Sequence, residues 1–352
     1  MIWLTWRQFR AAAGMMAAAL IVLAGILTVT GQGLAGDYST GIAACVTQSD
    51  GCSNFFQQFY HDNLMPFLAV TAVVLVLPAL SGLFWGAPLV ARELESGTHR
   101  LVWNQSITRT RWLAVKLGLT GLAAMTAAGL GSLAVTWWSV PVDKAAAGNA
   151  PSIPRLGPLL FPSRGIVPIG YAAFAVALGV AVGMLVRRSL PAMAITLLVF
   201  VVVQVVMPLG VRPHYLSPKR AAIELSTTTL EDFGIQQGGG PLHLTMKSQV
   251  PTDTGAWILS SRLVDASGRT VRGESIPVST SSGPCAPHRQ MQAGQAVSGC
   301  LAEINRLGYR QELVYQPSSR FWTFQWIETA IYSAFALGLA GFGFWHLRRR
   351  LS

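Results

Sequence analysis

Residues 91–116, ARELESGTHRLVWNQSITRTRWLAVK, form the longest charged stretch lying between two uninterrupted apolar runs. Residues 64–89 precede it and residues 112–140 follow. Both runs exceed the roughly 20 apolar residues that cross a bilayer as helix. Arg92, Arg100, Arg109, Arg111 and Lys116 give the stretch a cation density that short loops keep on the cytosolic side. The acidic pair Glu93 and Glu95 is followed by Gly97, a helix breaker, and by Thr98, a cap for a following helix. This order predicts two short helices interrupted at Gly97. A short, charged, structured loop against the cytosolic face is suited to being gripped by a cytosolic partner.

The composition places that loop in a membrane protein. Of 352 residues, 51% are hydrophobic and 12% charged, half the charge of a soluble domain. The net charge of +11 would suggest nucleic acid on a soluble chain. Here twelve basic residues fall beside proposed cytosolic helix ends, where orientation and anionic lipid account for them, and no nucleic-acid module is visible.

Six spans follow from the apolar runs, at about 11–31, 64–89, 112–138, 167–186, 191–209 and 322–347. Residues 1–10, MIWLTWRQFR, suit an interfacial helix or an ordinary cytosolic flank. The run at 11–30 is too long for a signal-peptide core, so it reads as an uncleaved span. Residues 32–63 hold Asp37, Asp50 and Asp62 but no lysine or arginine, as an outside loop should. Pro66 and Pro78 predict kinks in span two rather than its end. Trp137 and Trp138 read as an interfacial belt, and the Pro/Gly-rich residues 139–166 as an outer loop. Loop 90–111 and tail 348–352, with Arg348, Arg349 and Arg350, lie inside.

Residues 210–321 differ in character and predict a small mixed α/β domain on the outside. Apolar residues alternate over 243–250 and 257–264, and Asp265-Ala266-Ser267-Gly268 supplies a turn before 269–271, the pattern of a hairpin. Residues 300–307 have helical spacing. The fold class is thus an all-α polytopic membrane protein with an extracytoplasmic α/β insertion between spans five and six, both termini cytosolic.

All four cysteines fall in segments assigned outside, where disulfides form. Three pairings are open; Cys45 with Cys52 and Cys285 with Cys300 are the two local bonds. Small residues at four-residue steps in span four, Ala175, Gly179 and Gly183, predict close helix contact, within the chain or between copies.

No catalytic residues are identifiable. The chain lacks a phosphate-binding loop, HExxH and GxSxG, and no spacing suits a metal site. Glu328 is the one acid expected inside a span, a candidate for gating or the substrate path that also lies near enough to the outer boundary to reach water.

Residues 84–116, FWGAPLVARELESGTHRLVWNQSITRTRWLAVK, resemble the loop between the second and third spans of ABC-2 type transporter permeases, actinobacterial members especially. Residues 315–332, YQPSSRFWTFQWIETAIY, are similar to the start of their last span. The resemblance implies the membrane subunit of an ATP-driven exporter in a bacterial plasma membrane. Its loop would be a coupling helix, a role carried onto Arg92, Glu93, Glu95, Gly97, Thr98 and Arg100. It further implies two ABC ATPase subunits, which would bind ATP and Mg, and a second permease copy or paralogue. The substrate would be an amphipathic or hydrophobic antibiotic, drug or lipid. Two other classes stay open. Ion-coupled transport would want paired acids at mid-membrane, where only Gln204 and Glu328 stand; a non-transporting sensor would bind a ligand with its outer domain.

Overall fold

A bilayer offers the backbone no hydrogen-bond partners, so long apolar runs satisfy their own peptide groups as helix. The computed structural model describes residues 2–46, 52–97, 108–147, 153–227, 229–235, 242–271, 276, 278–286 and 293–350. Among these, six helices are long and apolar enough to cross a membrane. The chain divides into two units, one formed by Met1–Tyr215 with Arg320–Ser352 and one by Leu216–Ser319.

In the first unit, α1 (Ile2–Cys45) runs 44 residues without a break. At 1.5 Å per residue that is roughly 66 Å, about twice the hydrocarbon thickness. Residues 2–10 are therefore the first turns of α1 rather than a separate segment. Likewise α2 (Ser53–Leu80) begins well before the predicted span, so that much of the loop expected at 32–63 is helical, up to Cys45 in α1 and from Ser53 in α2. Aromatic packing explains both extensions. Tyr38 meets Phe59 edge-on at 5.4 Å, and the Phe55 ring lies on Gly41, where no side chain would fit. Cys45 at the end of α1 and Cys52 just before α2 are bonded, with Cα atoms 5.1 Å apart.

Pro66 and Pro78 stay inside α2, as expected of prolines in a span. Pro78 has no N–H to donate, and Ser81 Oγ donates to its carbonyl at 2.8 Å. A π-helical turn, Ser81–Gly86, follows and passes directly into α3 (Ala87–Glu95). Gly97 then takes φ 71°, a left-handed conformation glycine adopts freely, so the helix stops where the sequence predicts. The second short helix expected after Gly97 lies outside the described residues.

Helix α4 (Arg109–Trp138) starts at Thr108, whose hydroxyl accepts from Arg111 N at 3.4 Å. The stretch expected as an outer loop at 139–166 opens with a helix, α5 (Val140–Ala147), which continues directly from Ser139. Of the tryptophan pair only Trp137 is exposed; Trp138 is buried and donates to Thr30 Oγ1 at 3.0 Å. Helices α6 (Val167–Val186) and α7 (Ser189–Val206) are joined by two arginines, Arg187 being left-handed and Arg188 extended. A π-helical turn (Met207–Val211) and a 3-10 turn (Arg212–His214) end this part, and α9 (Phe321–Arg350) returns through the bundle.

Helix α6 is the most buried of the six spans. Its small residues face the π turn and the start of α3 at backbone distance. A Cβ on Gly179 would lie 2.5 Å from Ala87 N and 2.6 Å from Gly82 O, and one on Gly183 2.6 Å from Ala87 O. The small-residue steps thus serve packing within the chain.

The second unit holds a four-stranded antiparallel sheet in the order β1 (Lys219–Ile223), β6 (Arg310–Gln316), β4 (Trp257–Val264), β5 (Thr270–Val271). A separate antiparallel pair is formed by β2 (Leu230–Ile235) and β3 (Leu242–Met246). The predicted hairpin is β4–β5, with Leu263 opposite Val271. Its turn has Gly268 at φ 80°, and Asp265 accepts from Ser267 and Arg269, which hold its carboxyl down at about 2. The helical spacing at 300–307 belongs to α8 (Ala293–Arg306). Leu225, Leu242, Leu263 and Ile304 close on the Cys285–Cys300 disulfide, whose sulfurs are part of this core.

That bond closes a loop of 15 residues and contributes about 3 kcal/mol by restricting the unfolded chain. Reductant therefore lowers the unfolding transition of the second unit in the intact protein. The Cys285→Ala/Cys300→Ala protein starts at the lower transition and does not respond to reductant. Equal melting of the wild type with and without reductant would show the bond to be energetically idle.

Candidate functional site

The charged loop read from the sequence is built around α3. Glu93 and Glu95 sit two residues apart and so project toward different neighbours. The Glu93 carboxylate pairs with Lys116 of α4; both side chains are mostly buried. Lys116 Nζ also lies 3.4 Å from Leu89 O and 4.9 Å from the centre of the Trp112 ring. Glu95 Oε2 accepts from Ser189 N at 3.0 Å and from Ser189 Oγ at 2.8 Å. A carboxylate at a helix N-terminus satisfies an orphan donor and opposes the positive end of the dipole. One glutamate thus ties α3 to α4 and the other ties it to α7. On the remaining side, Gly179 and Gly183 of α6 hold Ala87 at backbone contact.

Of the other residues assigned to the loop, Arg92 is exposed and Gly97 ends the helix. Thr98 and Arg100 lie outside the described residues. The arrangement makes α3 a short rod clasped by three spans, with Arg92 exposed along it and Gly97 just past its C-terminal end. A force applied to this rod reaches α4, α6 and α7 through defined contacts.

Glu328 stands apart from this loop. It is fully buried rather than within reach of water as its sequence position suggests. Its carboxylate accepts from Arg212 Nε and Nη2, both at 2.8 Å, from Tyr215 OH at 3.1 Å and from Tyr171 OH. The Arg212 guanidinium lies over the Phe161 ring at 4.2 Å. Burial and the adjacent carboxylate push the Tyr215 hydroxyl well above its ordinary value. Next to it, Gln325 Oε1 accepts from Ile166 N at 2.9 Å and Val167 N at 3.0 Å, fixing the start of α6. A second buried cation, Arg164, donates to Asp143 at 2.6 Å. Sequence reading picked out Glu328 but not Arg212, Tyr171 or Arg164. Among the described residues no three His, Cys, Asp or Glu side chains converge as a metal site would require.

Six membrane-length apolar helices, a clasped charged rod and a strand-bearing insertion are the architecture of a multi-pass membrane protein. A family model described as ABC-2 membrane transporter related matches residues 17–212, more than half of the chain, and the chain belongs to that family. No curated protein and no solved structure matches it.

Proposed function

We propose that this chain is the membrane subunit of an ATP-driven exporter that moves an amphipathic or hydrophobic compound outward by alternating access. Two ATPase subunits would supply ATP and Mg binding, this chain having no catalytic step of its own, and a second copy or paralogue would complete the pathway. In this reading both termini and loop 90–111 are cytosolic, and the second unit and both disulfides are outside, where oxidation is permitted.

The observation that carries the reading is the double clasp of α3. A motor docked on a free loop would move only that loop. Here Glu93 on Lys116 and Glu95 on Ser189 link the rod to α4 and α7. Closure of a partner on the exposed Arg92 and on Gly97 would bias the spans between two states through its differential contacts with them.

The test uses full-length permease reconstituted with its co-purified ATPase. Glu95→Ala removes one clasp at an exposed position, so the protein inserts and holds the ATPase. Stimulation of ATP turnover by the permease falls about tenfold, a coupling loss of ordinary allosteric size. Stimulation unchanged by Glu95→Ala would remove the clasp from the mechanism. Absence of any ATPase, even after crosslinking, would overturn the exporter reading in favour of a sensor.

A further inference from the structure

Beside the clasp lies a cavity of about 450 Å³ formed by the first helix, the π turn, α3 and α4. Its apolar wall is set by Phe9 and Trp85, packed edge to face with ring centres 4.7 Å apart, and by Leu89. Its volume falls in the range of roughly 300–1,000 Å³ that holds drug-sized ligands. Phe84 lines the same cavity and is 56% exposed, so the cavity rim carries an apolar ring that an acyl chain can reach.

Three ionisable side chains line it, Arg92, Glu93 and Lys116. Glu93 and Lys116 neutralise each other. Arg92 has no ion pair among the described residues and leaves the cavity with one uncompensated positive charge beside aromatic walls. A guanidinium recognises a carboxylate or phosphate through paired N–H donors. An apolar body would desolvate Phe9, Trp85 and Leu89 at about 25 cal/mol per Å² buried.

From this geometry we infer that the cavity is a binding site for an acidic amphiphile, its anionic head on Arg92 and its apolar body against Phe9 and Trp85. The head chemistry is shared by a free amphiphilic acid and by an anionic phospholipid whose tails remain in the bilayer. Under the exporter reading the site is where such a compound is collected from the inner leaflet. Binding itself does not depend on that reading.

The experiment uses the full chain alone, in phosphatidylcholine nanodiscs, with a fluorescent fatty acid, 11-(dansylamino)undecanoic acid, as probe and empty discs as background. The acid binds saturably, and its methyl ester binds at least about tenfold more weakly, as expected for loss of a charge-assisted pair. Arg92→Gln weakens the acid by the same factor and leaves the ester unchanged. Ala12→Trp, which fills the cavity from the first helix, removes binding of both. Arg111→Gln, a cation outside the cavity lining, changes neither. Competition by phosphatidylglycerol in the disc supports occupancy by a lipid head, and its absence supports a free acid. Equal binding of acid and ester, or binding that survives Ala12→Trp in a monodisperse protein, overturns the site. If the probe binds as described but no ATPase couples to the chain, the exporter reading fails and the site stands.

Discussion

Arg212→Ala destabilises the membrane unit by about 3–5 kcal/mol, because it leaves the Glu328 carboxylate buried without its counter-charge. The same carboxylate still accepts from Tyr171 and Tyr215, but two hydroxyls do not offset a full charge in a low-dielectric interior. Replacing both partners by apolar residues of similar volume, Arg212→Met with Glu328→Leu, recovers most of the loss, since the expensive state is the unpaired ion and not the missing pair. Thermal unfolding in detergent of the wild type, the single and the double variant separates these cases. If single and double variants melt together, the network of Tyr171, Tyr215 and Arg212 has no energetic meaning as an ion pair. The Glu95→Ala clasp variant serves as a comparison whose melting should move little, because that contact is exposed.

Gly179→Val is the second substitution with a large expected effect. Its new Cβ would stand 2.5 Å from Ala87 N and 2.8 Å from Gly86 C, both backbone atoms that no rotamer change can move aside. Ordinary overpacking is worth about 1–3 kcal/mol. Here whole helices must separate, so most of the protein is expected to be lost as monodisperse material on size exclusion. Gly118→Ala is the control, with nothing within 4 Å of its added Cβ. Wild-type recovery of Gly179→Val would mean that α6 and α3 part readily, and the close approach of these helices would then not fix the rod.

The sequence discloses what depends on runs and short spacing, and conceals what depends on distant partners. Six spans follow from apolar length, the α3 stop from Gly97, the β4–β5 hairpin from Asp265–Gly268, and the packing face of α6 from its small residues. The extra turns of α1 and α2 are hidden because Asp37 and Asp62 look like loop residues, while the packing of Tyr38, Phe55 and Phe59 that keeps the region helical is tertiary. Helix α5 is masked by nearby prolines and glycines. The clasp is read only in part. Glu93 and Glu95 stand out as a charged pair, and nothing local says that one will meet Lys116, 23 residues away, and the other Ser189, 94 away. Arg212 and Glu328 are 116 residues apart, and a lone arginine after an apolar run carries no sign of its partner.

The contacts around Glu328 also hold together the two chain ends that flank the second unit. Tyr215 and Arg320 are the last and first residues of the membrane unit on either side of residues 216–319. Tyr215 touches Phe324 at 5.4 Å between ring centres and donates to Glu328, so the two cut ends are already sewn together within the membrane unit. A segment spliced between them need not supply any closure of its own. A change in the length of residues 216–319 therefore leaves these contacts, and the closure of the membrane unit, in place.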